Sequence, residues 1–174
     1  TITGTSKSIT PTASKIYALT PNSNTYKARY IITTTANGKS YTNSKDFTFT
    51  VTNSNPTFSN FTYQDTNTTI TALTGNNQIL VNGYSNVKAT ISTANKAIAK
   101  NSATMRSYKL LVGTKNTTAN YNSTADVNMS INQINNNVID VYAIDSRGNS
   151  TKVSKTATIK NYSNIKIKSL SATR

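Results

Sequence analysis

Apolar residues alternate with polar ones along much of the chain, the period of a half-buried strand, while a helical period is weak throughout. Tyr26-Lys27-Ala28-Arg29-Tyr30-Ile31-Ile32 runs into Thr33, Thr34 and Thr35, and beyond Asn37-Gly38 the segment Phe47-Thr48-Phe49-Thr50-Val51 alternates again. Asn-Gly accepts the positive φ of a tight turn, so a hairpin is predicted there. A second hairpin is predicted from Val138-Ile139-Asp140-Val141-Tyr142-Ala143-Ile144 and Lys152-Val153-Ser154-Lys155-Thr156-Ala157-Thr158-Ile159. Between them lies the turn sequence Asp145-Ser146-Arg147-Gly148-Asn149. Shorter strands are predicted at Gln78–Asn82, Val87–Ile91, Tyr108–Val112 and Val127–Ile131. With the second hairpin this makes six strands, close to the seven of an immunoglobulin-like sandwich. The expected core is Ile79, Val81, Val87, Ala89, Ile91, Leu110, Val112, Val127, Met129, Ile131, Ile139, Val141 and Ala143. Ala94–Ala103 has room for one helical turn but reads as a crossing loop.

The two hairpins also suggest an organisation. Gly38 and Gly148 lie 110 residues apart, an offset that suits one immunoglobulin-like domain of roughly 100 residues plus a linker. After each hairpin comes a polar linker and an apolar restart: Asn53-Ser54-Asn55-Pro56 before Phe58 and Phe61, and Asn161-Tyr162-Ser163-Asn164 before Ile165, Ile167 and Leu170. The expected fold is therefore all-β, with immunoglobulin-like sandwiches in tandem. Residues 1–54 are read as the C-terminal part of one domain, 55–162 as a complete domain, and 163–174 as the start of a further domain or a linker. Residue matching between the repeats is poor, so this parse rests on order and spacing. One domain with a long N-terminal extension is the alternative. Both ends of the chain look cut.

Composition sharpens the fold class and narrows the chemistry. Asn, Thr and Ser dominate, and there is no Glu. Thr fits a pleated strand, and Asn and Ser favour turns. The charged share is 14%, too low for charge-driven disorder. No run of apolar residues is long enough to cross a membrane as a helix. The net charge of +14 favours contact with polyanions. The lysines are scattered, as expected of a solvated surface with guarded sheet edges. Adhesion to an anionic wall polymer is the sharper alternative.

The absence of His, Cys and Glu removes the commonest general base, the thiol nucleophile and most transition-metal ligand sets. Asp46, Asp65, Asp126, Asp140 and Asp145 are the only acids, and they read as turn-forming or solvated. Asp65 and Asp126 are the formal candidates for a glycosidase pair, with nothing to bring them together. Asp140 and Asp145 are too few for a calcium site. Asp145 is placed to cap its own turn by accepting from backbone amides two residues on. A buried Lys–Asn cross-link would need an acid beside it, and nothing singles out such a trio. Nucleic acid finds the charge it needs but no groove-reading helix and no aromatic RNA motif. Tyr84, Tyr108 and Tyr142 read as half-buried strand residues. Tyr63, Tyr84 or Tyr121 could face a carbohydrate among Asn-rich loops. Asn-x-Ser/Thr sequons occur at Asn60, Asn67, Asn116, Asn122, Asn128, Asn149 and Asn161, as an Asn- and Thr-rich chain gives by chance. The sequence therefore assigns no catalytic, cofactor-binding or metal-binding residue, and the expectation is that the protein is not an enzyme.

Several segments carry a resemblance. Leu73-Thr74-Gly75-Asn76-Asn77-Gln78, Gly83-Tyr84-Ser85-Asn86-Val87, Ala103-Thr104-Met105 with Tyr108, and Tyr142-Ala143-Ile144-Asp145-Ser146-Arg147-Gly148-Asn149-Ser150-Thr151 resemble immunoglobulin-like repeats in minor structural proteins of siphoviruses, the tailed phages, of Gram-positive bacteria. The resemblance spans residues 50–174 and rests on turns and strands. It implies a place in the virion, in or near the tail, and other virion tail proteins as partners. It carries over no catalytic or binding residue. The expectation is a non-enzymatic spacer module of a tail or tail appendage. The alternatives are a receptor- or wall-glycan-binding module engaging an anionic polymer or glycan of a Gram-positive host, and a bacterial surface adhesin stalk on the extracellular cell surface.

Overall fold

The computed structural model describes residues 10–163. Strands predominate among them, and the α-helices are two single short elements, Ala13–Leu19 (α1) and Thr68–Thr74 (α2), so the class is all-β. Among the described residues the chain divides into two units. One gathers residues 10–59, Lys96–Ser107 and Ala143–Thr151, and the other Asn60–Asn95, Tyr108–Tyr142 and residues 152–163. The expected restart at Ile165, Ile167 and Leu170 lies outside the described residues.

In the first unit, Thr25–Ala36 (β1) and Lys39–Thr50 (β2) form an antiparallel ribbon in unbroken register from Thr25 opposite Thr50 to Ala36 opposite Lys39. Asn37 and Gly38 connect them with φ of +49° and +73°. Positive φ at both central residues is the signature of a type I′ turn, whose twist matches that of the strands it joins. The polar stretch Thr33–Asp46 thus continues the hairpin instead of looping. Its threonines are β-branched, and half of its backbone groups pair across the ribbon while the other half face outward from its two edges. α1 was not foreseen. Thr12 supplies no side-chain cap, and Thr20 closes the far end by donating its N–H to Tyr17 O at 3.2 Å.

The second unit holds most of the remaining strands. Thr62–Asp65 (β3), Val87–Ile91 (β5) and Val127–Ile131 (β8) form an antiparallel sheet in the order β3-β5-β8. Met105–Val112 (β6), Lys115–Asn120 (β7), Val138–Asp145 (β9) and Ser150–Thr156 (β10) form a four-stranded sheet in the order β10-β9-β6-β7, and the ends of β6, β9 and β10 belong to the first unit. Ile79–Val81 (β4) pairs in parallel with Thr158–Lys160 (β11). Alternation decides which face is buried. Val87, Ala89 and Ile91 of β5 lie opposite Ile131, Met129 and Val127 of β8, and all six are buried. Ile139, Val141 and Ala143 of β9 and Leu110 and Val112 of β6 are completely buried. Each such Val, Leu, Ile or Met side chain contributes about 1.5–3 kcal/mol when taken fully from water.

Two local expectations change. Ile79 is only half-buried and Leu80 is the residue fully enclosed. A three-residue strand is too short for alternation to select a face. Val81 follows it into the core, its N–H held by Ser85 Oγ at 2.6 Å. The return strand predicted over Lys152–Ile159 breaks at Ala157, whose buried N–H turns to Asn137 O at 2.8 Å. Ala94–Ala103 is mostly loop, as its reading as a crossing loop expects, and opens on a 3-10 turn over Thr93–Asn95. The loop beyond it is pinned at Ile98, which exchanges two backbone hydrogen bonds with Thr57.

Candidate functional site

The most densely bonded polar cluster lies in the first unit, around the turn after β9. Asp145 is completely buried. Its Oδ1 accepts from the backbone N–H groups of Arg147 at 2.9 Å and Asn149 at 2.8 Å. This is the turn that Asp145 was expected to begin, and Gly148 sits in it at φ +85°. Asn149 Nδ2 donates to Ser54 Oγ at 2.7 Å and to Asn24 Oδ1 at 3.1 Å, and Asn24 Nδ2 returns a bond to Asn149 Oδ1 at 2.9 Å. The same turn aims Arg147 at main-chain carbonyls. Its Nε donates to Thr20 O at 2.7 Å and Ser23 O at 3.1 Å. Nη1 donates to Lys100 O at 3.1 Å, and Nη2 donates to Tyr17 O at 3.4 Å and to Asn101 O. Five carbonyls from two distant segments are satisfied by one planar donor fork, a geometry lysine cannot supply. Two of them, Tyr17 O and Thr20 O, belong to the C-terminal end of α1, where a cation is favoured. The arrangement fastens backbone. Sequence reading placed Arg147 in a turn but missed this role, because its partners are remote in the chain.

The other carboxylates are also tied to structural partners. Asp65 Oδ1 accepts from the N–H groups of Asn67 and Asn86, both at 2.9 Å. Asp126 accepts from Thr93 N at 2.9 Å. Asp140 faces Lys152 Nζ at 3.6 Å. Asp46 takes both ends of the Arg29 guanidinium, at 2.6 and 3.0 Å, and this pairing lowers its pKa below the usual carboxylate value. Among the described residues no three acids gather at one point.

Of the tyrosines considered for sugar contact, Tyr63 donates its hydroxyl to Gln78 O at 3.4 Å, and burial raises its pKa. Tyr121 lies against Tyr108 at 6.0 Å between ring centroids. Tyr84 stacks edge-on with Tyr162 at 5.4 Å. Both rings of this last pair are about half exposed. A different aromatic grouping lies on the β1–β2 ribbon. Cross-strand register puts Tyr26, Ala28, Tyr30 and Ile32 on the same face as Phe49, Phe47, Lys45 and Asn43, with Tyr41 and Lys39 further along. The opposite face carries Lys27, Arg29, Ile31 and Thr33 against Thr48, Asp46, Ser44 and Thr42. Tyr30 and Phe47 meet edge to face at 5.0 Å. No residue of either strand is buried, and Ile32, Tyr41 and Phe47 are openly exposed. Sequence alternation showed the rows but not that they share a face, which depends on the turn length.

No helix among the described residues is long and apolar enough to cross a membrane. A family model described as "Siphovirus protein of unknown function (DUF859)" matches residues 1–174. No curated protein and no solved structure matches the chain.

Proposed function

Because the chain belongs to a family of siphovirus proteins, we propose that it is a non-enzymatic structural module of the virion, acting as a spacer in a tail or tail appendage. In this reading it is built from immunoglobulin-like sandwiches in tandem. The supporting observation is the path of the chain between sheets. β5 lies in one sheet, β6 and β7 in the other, β8 back in the first, and β9 and β10 again in the second. Such sheet-switching connections, with one buried face on each sheet, characterise Greek-key sandwiches. Residues 55–162 form the complete domain of this proposal, and residues 1–54 the closing part of a preceding one. The cluster around Asp145 and Arg147 agrees with a structural role, since its carboxylate and guanidinium are spent on fastening backbone segments. The partners are other virion tail proteins. Antibodies raised against the chain test this reading on intact phage. Gold label along the tail or its tip is the expected result, and label confined to the capsid, or absent from virions that contain the gene product, overturns it.

A further inference from the structure

We propose that the aromatic face of the β1–β2 ribbon binds an anionic polysaccharide, one that carries charge on only some of its sugar units. A two-stranded ribbon standing alone is marginal in water. This one still arrays Tyr26, Tyr30, Tyr41, Phe47 and Phe49 on a single face without burying any of them. Twelve residues per strand give a twisted strip about 40 Å long. Such a strip suits an extended ligand better than a compact one.

Charge selects the class of ligand. The face carries Lys39 and Lys45 and no acid, and neither lysine forms an ion pair among the described residues. The partner is therefore anionic. A second copy would bring the same lysines together, on a chain whose net charge is +14 and whose self-repulsion opposes association. Lys45 also lies mid-strip, opposite Tyr30. Dry protein interfaces are depleted of lysine at their centres, whereas a hydrated polymer pairs with the ammonium and leaves it wet. Nucleic acid is disfavoured by spacing. Lys39 and Lys45 are six positions apart on one strand, about 20 Å, too sparse for a phosphate at every unit. Sugar rings with apolar faces meet the aromatics, and scattered carboxylates or phosphodiesters meet the lysines.

The test uses the whole 174-residue chain and measures binding by calorimetry to hyaluronan, polyribosylribitol phosphate, neutral dextran and a single-stranded oligothymidine. Hyaluronan and polyribosylribitol phosphate separate carboxylate from phosphodiester as the anion recognised. One of the two charged polysaccharides is expected to bind, and to bind more tightly than dextran or the oligonucleotide. Tyr41→Ser and Lys45→Gln, both at exposed positions, should each weaken that binding about fivefold or more. Lys27→Gln removes the same charge from the opposite face and should leave affinity within about twofold. Circular dichroism identical to the parent shows that each variant is folded. Failure of both charged polysaccharides to bind, equal losses for Lys27→Gln and Lys45→Gln, or tighter binding of the oligonucleotide overturns the proposal. None of these results bears on whether the chain resides in the tail.

Discussion

A buried carboxylate is tolerated only where donors surround it, and Asp145 shows how few residues that takes. Its Oδ1 closes the turn onto the N–H groups of Arg147 and Asn149. Asp145→Ala leaves both amides without that acceptor and should lower stability by about 2–4 kcal/mol, read from urea denaturation at unchanged slope. A loss within about 0.5 kcal/mol would mean that the turn holds without its cap. The pair Arg29–Asp46 behaves differently, being fully exposed to solvent. Its folded-state pKa at Asp46 is lowered by the Arg29 hydrogen bonds. Its contribution is therefore present above the unfolded carboxylate pKa and fades as pH falls through the lower folded value. Arg29→Gln should move the Asp46 titration midpoint up towards the ordinary value in an NMR titration. An unmoved midpoint would show that the pair does not form in solution. Residue chemistry was partly legible in the sequence. Asp145 could be recognised as a turn-starter because its partners lie two and four residues away. Arg147 could not be recognised as a fastener, because Tyr17, Thr20 and Ser23 are distant in the chain and nothing local encodes their approach.

At the scale of elements, alternation served well where strands are long enough to have two faces. β5, β8 and β9 bury the residues the pattern selects. It failed at β4, where three residues leave no period to read, and it missed β7, whose Lys115–Asn120 sequence is polar on both sides. α2 was hidden for another reason. Thr68-Thr69-Ile70-Thr71-Ala72-Leu73-Thr74 is rich in a residue that favours strands. The helix exists because its ends are closed. Asn67 Oδ1 accepts from Thr69 N at 3.2 Å and Ile70 N at 3.4 Å, and Gly75 terminates it at φ +66°. Asn67→Ala should therefore cost about 1 kcal/mol, measured by thermal or urea unfolding, with Asn67→Asp losing less. An alanine variant as stable as the parent would show that packing of Ile70 alone holds the helix. The same dependence on remote structure hid the ribbon's aromatic face. The rows Tyr26 to Ile32 and Phe47 to Phe49 were visible, but their union on one side follows from a two-residue turn and an unbroken register.

For the whole molecule the question is whether residues 55–162 are self-sufficient. The turn that bears Arg147 belongs to this stretch, while Tyr17, Thr20, Ser23, Asn24 and Ser54, which accept from Arg147 or bond with Asn149, precede it. A fragment of residues 55–162 keeps the buried strands β5, β6, β8 and β9 and should unfold in one cooperative transition, as small single domains do. It loses those partners, so its midpoint should fall below that of the full chain. Arg147→Ala separates the two contributions as a double-mutant cycle would. In the full chain it removes donors to five carbonyls, whereas in the fragment only Lys100 O and Asn101 O remain to be lost. Its cost should therefore be clearly larger in the full chain, with the difference measuring how firmly residues 1–54 grip the turn. Equal costs would mean that the grip adds nothing to stability. A fragment that is unfolded while the full chain is folded would place residues 1–54 inside one compact body. That result would remove the domain boundary on which the spacer proposal depends, because a spacer lengthens by adding modules that each close their own core.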